Sequence, residues 1–216
     1  MPNANVHRIP IPRLPARSTT TFAERAGVVF VGGFAHRPNI DAVMFLVKDI
    51  WPIVRQRLPN SELRVIGSNM TPEVKALDNP ATGVKIVGFV ESLDEALDAA
   101  RLSVAPLRFG AGIKGKVVSS LLHGLPCVLS KVASEGMGLV DGEQVLEGET
   151  AEEIATAIVR LHEDSQLWQR IADAGFLAAA TEYSVESVAT KFSALLDSIG
   201  LVDNARVISA TAFDIH

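Results

Sequence analysis

Short runs of apolar residues closed by glycine or proline alternate along this chain with longer stretches in which apolar residues recur every three or four positions. Residues 27–32 (GVVFVG) are β-branched and apolar, ending on glycine, and predict a buried strand. Residues 62–67, 84–88, 102–106 and 126–129 repeat the pattern and predict four more. Between them the period changes to that of a helix. Asn39 is read as the cap of a helix whose apolar positions are Val43, Leu46, Val47, Ile50 and Val54. Thr71 and Pro72 stand in N-cap and first-position order. Ser92 with Glu95 predicts a capping box, and a helix through Val117 to His123 is stopped by Gly124. Three helices close the pattern. Thr150 with Glu153 opens one, Leu167, Ile171 and Leu177 continue the next, and Ser184 caps a third with Val185, Val188, Phe192, Leu195 and Ile199 on one face.

Strands that are apolar throughout, separated by helices, predict an α/β protein with a parallel sheet covered on both faces, a doubly wound Rossmann-like domain. Such sheets bind ligands at the carboxyl ends of their strands. The loops after strands one, three and four are therefore the places to look for chemistry. Residues 1–26 hold Pro2, Pro10, Pro12 and Pro15 and read as a lead-in or interdomain linker. The domain is expected over residues 27–200, and 201–216 form a tail without pattern.

Composition narrows the classes. At 216 residues and 48% hydrophobic content, the chain can bury a full core without metals or disulfides. A net charge of −5 with no basic stripe argues against a nucleic-acid partner. The single cysteine, Cys127, sits in an apolar run and reads as a small buried hydrophobe. It excludes an internal disulfide and suggests a reducing compartment. No apolar stretch is long enough for a bilayer, and the start has no signal-peptide core, so a cytoplasmic protein is expected.

Three loops carry candidate chemistry. In the first, Gly32 and Gly33 let backbone approach a ligand, a helix N-terminus follows, and Arg37 adds a permanent cation. This suits a phosphate, or is a tight turn with a solvated arginine. In the second, residues 106–116 (PLRFGAGIKGK) place three glycines and three cations before a helix, which favours phosphate or diphosphate over a plain surface loop. It is not a Walker motif, because Lys116 is followed by Val117. In the third, Gly88 to Ser92 could lay backbone, Phe89 or Val90 against a base, or be a plain strand exit with a capping serine. Glu135, after strand five, could accept sugar hydroxyls or be a surface glutamate. His123 reads as a helix-end cap, and Trp51 and Trp168 as packing residues.

Taken in order, the segments VVFVGGFAHRPNIDAVMFL, RLPNSELRVIGS, VKIVGFVESLDEALDAARLSVAPLRFGAGIKGKVVSSLLHGLPCVLSKVASEGM and DAGFLAAATEYS resemble the C-terminal, donor-binding domain of the group 1 retaining glycosyltransferases, one half of a GT-B fold. The resemblance implies transfer of a sugar from a UDP- or GDP-sugar to a glycan or lipid acceptor, without a metal or other cofactor. It implies that Gly33 and the backbone of Gly112, Ile113 and Lys114 face the diphosphate, that Arg37 and Lys116 neutralise the leaving group, and that Gly88 to Val90 line the base. It also implies a partner, the N-terminal acceptor domain, for which this chain has no room; membrane association would come through that domain. The isolated chain is then not expected to turn over donor. The family often carries two glutamates separated by seven residues, where this chain has Ala111 and Ser119. The second normally accepts bonds from the ribose, and Ser119 is too short for that reach. Two alternatives therefore stand beside the donor domain: a degenerate binding or interaction module without turnover, and another phosphate-binding fold such as a flavodoxin-like one.

Overall fold

The computed structural model describes residues 6–201. Six parallel strands form one sheet: β1 (Val28–Val31), β2 (Leu63–Ile66), β3 (Val84–Gly88), β4 (Leu102–Ala105), β5 (Cys127–Leu129) and β6 (Leu146–Glu147). Their order is β3-β2-β1-β4-β5-β6. The order reverses between β1 and β4, and in doubly wound sheets the crevice outside that reversal is where ligands bind. The five apolar runs are β1 to β5. The sixth strand has only two residues and no apolar run announces it.

Buried β-branched and leucine side chains fill both faces of the sheet: Val28, Val29, Phe30, Leu63, Val65, Leu102, Val104 and Val128 are all fully buried. Helices flank the sheet. The first spans α1 (Arg37–Phe45), a π turn (Leu46–Ile50) and α2 (Trp51–Arg57). Pro52 explains the irregularity, since it has no N–H to give a regular helical bond. The ladder opens by one residue, and the Trp51 amide reaches the carbonyl of Leu46. Trp51 itself is a core residue, 1% exposed. The expected Asn39 cap is corrected: His36 is the N-cap, the helix starts at Arg37, and Pro38 lies in the first turn, where a missing N–H costs nothing. Asn39 is freed for another bond, described below.

The remaining helices are α3 (Pro72–Lys75), α4 (Leu93–Asp98), α5 (Gly115–Leu122), α6 (Lys131–Ser134), α7 (Ala151–Glu163), α8 (Ser165–Glu182) and α9 (Val185–Ser198). Thr71, Ser92, Ser130, Thr150 and Ser184 each accept a first-turn amide as N-caps. The box at Thr150 and Glu153 closes in both directions, whereas at Ser92 the serine accepts the Glu95 amide without the return bond. Gly124, at φ 72, ends α5 after His123. Leu177, expected on the buried stripe of α8, is 66% exposed.

Residues from Pro15 to Ala180 make one compact unit. The segment leading into β1 therefore divides at Leu14, and its second part is fastened down. Arg17 pairs with Asp173, Phe22 packs edge-on against Trp168, and the buried Arg25 donates to the carbonyls of Thr20, Leu97 and Ala100. The second unit contains the described residues before Pro15 and after Ala180. There the Arg13 amide donates to the Tyr183 carbonyl, and Glu182 pairs with Arg8 and Lys191. Helix α9 has no buried residue, and Val185, Phe192 and Ile199 are at least half exposed. Residues 202–216 lie outside the described residues, and with them nearly all of the expected tail. No helix among the described residues is long and apolar enough to cross a membrane.

Candidate functional site

The β1/β4 switch point is built by two loops, Gly32–His36 after β1 and Pro106–Lys114 after β4. Each leads into a helix whose N-terminus has no side-chain cap: His36 before α1 and Lys114 before α5. The contrast with the Ser- and Thr-capped helices is chemical. A free first turn leaves backbone N–H groups and the positive end of the dipole to an external anion.

Between the two helix ends lies Lys116. Its Nζ donates to Asn39 Oδ1 at 2.5 Å and sits 4.4 Å from the centre of the Phe30 ring. Asn39 Nδ2 in turn donates to the Gly33 carbonyl at 2.8 Å. The chain Lys116–Asn39–Gly33 thus ties the two loops together across 77 positions of sequence. Burial is the cause of the ammonium's lowered pKa, which falls to about 7. Its hydrogen bond is to a neutral amide, and among the described residues no carboxylate forms an ion pair with it.

The three cations of the second loop have different fates. Arg108 turns to α1 and forms a two-pronged pair with Asp41, donating from Nε to Oδ2 at 2.9 Å, and lies over Phe45. That pair raises its pKa. Lys114 is 8% exposed, and its Nζ folds back to the carbonyls of Gly112 (2.6 Å) and Gly110 (3.3 Å). It braces its own loop. Of the three, Lys116 alone is linked to the first loop, through Asn39 of α1. Arg37 is exposed at the first position of α1. Gly112 has φ 78 and open space where a Cβ would be, and Ile113 is 38% exposed. Ser119 lies on α5, one turn after Lys116 and half-buried.

At the β3 exit, Gly88 takes φ 84, Phe89 is 75% exposed, and Val90 packs against the core cluster of Val29, Ile66 and Leu97. Phe89 is the apolar group left available there. Glu135 is exposed at the end of α6, a helical turn beyond β5. His123 is the C-cap of α5 and bonds Asp98 through Nε2 at 2.8 Å, in keeping with its reading as a structural residue. Cys127 is fully buried, and burial pushes its thiol up to about 12.

Two contributors escaped the sequence reading. Asn39 is a cross-loop pin rather than a cap. Gly67, after β2, has φ 152, and a Cβ there would meet the Gly32 carbonyl at 1.6 Å. Only glycine lets the β2 exit pass so close under the first loop. A glycine closing a strand run is the sole sequence signal for it.

The strand order and the helices that flank the sheet define a doubly wound α/β domain of the Rossmann type. More particularly, the chain belongs to the glycosyl transferases group 1 family, whose model matches residues 25–164. Its fold is that of one half of a GT-B glycosyltransferase. A TarM variant from S. aureus, in complex with fondaparinux, alpha-GlcNAc-glycerol and UDP, superposes with a TM-score of 0.75 at 13% identity, over 91% of this chain and 40% of that one. Anabaena HepE in complex with UDP and glucose gives 0.66 at 18% identity, over 82% of this chain and 49% of that one. The C-terminal domain of a glycosyl transferase group 1 family protein (LpcC) from Francisella tularensis gives 0.62 at 18% identity, over 79% of this chain and 95% of that one. The chain therefore spans less than half the length of TarM and HepE. No curated protein matches its sequence significantly.

Proposed function

We propose that this chain is the donor-binding half of a retaining glycosyltransferase that takes its sugar from a nucleoside diphosphate carrier. The observation that carries this reading is Lys116, half-buried between two uncapped helix ends and joined through Asn39 to the Gly33 loop. A diphosphate bridging the two loops would accept backbone N–H groups from the starts of α1 and α5, and charge-assisted bonds from Lys116 and Arg37. The same groups would stabilise the charge that develops on the leaving diphosphate, with no metal or other cofactor required. The base would lie at the β3 exit by Phe89 and Val90, the ribose by Ser119, and the sugar toward Glu135. UDP is the favoured carrier, because TarM and HepE are similar in fold and their complexes contain UDP. An acceptor-binding N-terminal domain would complete the cleft, receive a glycan or lipid acceptor, and supply any peripheral membrane contact. The whole would work in the cytoplasm, in polysaccharide assembly.

A second reading, binding without turnover, draws on Ser119 and Ala111, which stand where the family commonly has glutamates. Calorimetric titration of the 216-residue chain with UDP, GDP, ADP and uridine tests the binding that both readings require. The donor reading predicts that one diphosphate binds, and binds tighter than its nucleoside. If none of the diphosphates binds, the donor-domain reading fails.

A further inference from the structure

At the amino ends of the strands, on the edge of the sheet away from the switch point, a cleft of about 590 Å³ opens beside the entries to β1, β2 and β4. Arginines from three separate elements line it: Arg57 at the end of α2, Arg64 on β2 and Arg101 just before β4. Asn60, Ser61 and Glu62, the turn into β2, form its polar floor.

The cations are unequally occupied. Arg101 is a fixture: it donates to the carbonyls of His162 (3.1 Å) and Arg25 (2.6 Å) and stacks over Phe22. Arg57 pairs at the surface with Glu152 and donates to Thr156 Oγ1 at 2.9 Å. Arg64 has only a loose contact with Glu62, 3.8 Å from Nε to Oε1, which is beyond hydrogen-bond distance. Two further donors are buried without a partner, Arg101 Nε and the hydroxyl of Ser61, a residue only 7% exposed. His162 also lines the cleft; burial, then the nearby Arg101 charge, lowers its pKa, so it adds no positive charge at neutral pH. The sum is three guanidiniums against one lining carboxylate, with orphan donors at the wall.

A cleft of this size holds more than a bare phosphate. The loosely held guanidinium of Arg64 suits a phosphate group bidentately, with Arg57, itself engaged by Glu152 and Thr156, adding charge beside it. Glu62 and Asn60, placed beside them, suit hydroxyl groups. We propose that this cleft is a second binding site, distinct from the switch point, for a phosphorylated sugar. Nothing in this site depends on the donor reading of the switch point, since the two lie at opposite ends of the strands.

The test is to follow backbone amide resonances of the 216-residue chain during titration with glucose 1-phosphate, inorganic phosphate and glucose. The expected result is saturable movement of amides at 60–64 and 100–102 with glucose 1-phosphate, at least threefold weaker affinity for inorganic phosphate, and no response to glucose. Lys116→Ala, which disables the switch point, is expected to leave these shifts in place. Arg64→Gln is expected to weaken them at least tenfold. Arg57→Gln, on the exposed end of a helix, does the same if Arg64→Gln fails to fold. The proposal is overturned if glucose 1-phosphate moves only switch-point amides, if inorganic phosphate binds as tightly, or if the folded arginine variants bind like the wild type.

Discussion

At the scale of single residues, Lys116 is where sequence and structure meet most closely. The glycine-rich loop and the helix start after it offer three cations, Arg108, Lys114 and Lys116, and only the family resemblance set Lys116 apart. What separates them is bonding to groups far away in sequence, Asp41 for Arg108 and Asn39 for Lys116, and to the loop's own carbonyls for Lys114. With its pKa drawn down to about 7, Lys116 binds fewer protons folded than unfolded between about pH 7 and its ordinary value of 10.5. By linkage its contribution to stability rises with pH across that window and is least favourable below it. A diphosphate reverses the balance by favouring the ammonium. UDP binding should therefore take up a proton, approaching one per site above about pH 8 and vanishing below about pH 6 apart from the ligand's own titration. Calorimetry in buffers of different ionisation enthalpy measures this, and Lys116→Arg should abolish the uptake. Ser119 gives a second prediction. Ser119→Glu restores a carboxylate one turn from Lys116, and should tighten UDP binding by about 1–2 kcal/mol, roughly 5- to 30-fold, if the ribose lies there. Unchanged affinity in a folded variant would remove Ser119 from the site.

At the scale of elements, the five long strands were legible because parallel strands buried on both faces leave continuous apolar runs. Elements held by tertiary context were not. The two-residue β6 has no periodicity to detect. The π turn is foreshadowed only by Pro52 within a helical pattern. Asn39 looked like a cap because asparagine usually is one, yet Pro38 pulls the helix start back to Arg37 and releases the side chain to pin Gly33. The apolar face of α9 was legible too, but none of its residues is buried in this chain. Two element-level predictions follow from the loop anchors. Gly67→Ala sets a Cβ against the Gly32 carbonyl at a left-handed φ, and should cost more than about 2 kcal/mol in chemical denaturation while displacing the first loop. Asp41→Ala removes an exposed ion pair, so denaturation should shift by less than about 1 kcal/mol. Its effect should appear instead as a several-fold weaker UDP affinity, because the loop after β4 loses its tether to α1. Equal UDP affinity in the variant would confine that pair to surface decoration.

At the scale of the whole molecule, the strand order carries the account. A sheet ordered β3-β2-β1-β4-β5-β6 places its crevice between β1 and β4, and both loops there enter helices without side-chain caps. The sequence predicted a parallel sheet, but the adjacency of β1 and β4, and hence the meeting of Gly33 with Lys116, is a property of topology. The proposed donor-half reading, in which chemistry takes place between two domains, predicts that the 216-residue chain supplied with donor and acceptor binds the carrier but transfers no sugar, as followed by release of the diphosphate. The central claim, that the switch point holds a diphosphate through Lys116, is tested most directly by titrating wild type and Lys116→Ala with UDP and with uridine at about pH 7. The account predicts that the variant loses about 1.5–3 kcal/mol of UDP affinity, roughly 10- to 150-fold, and little or none for uridine. Equal loss for both ligands, or none for either in a folded variant, would contradict it.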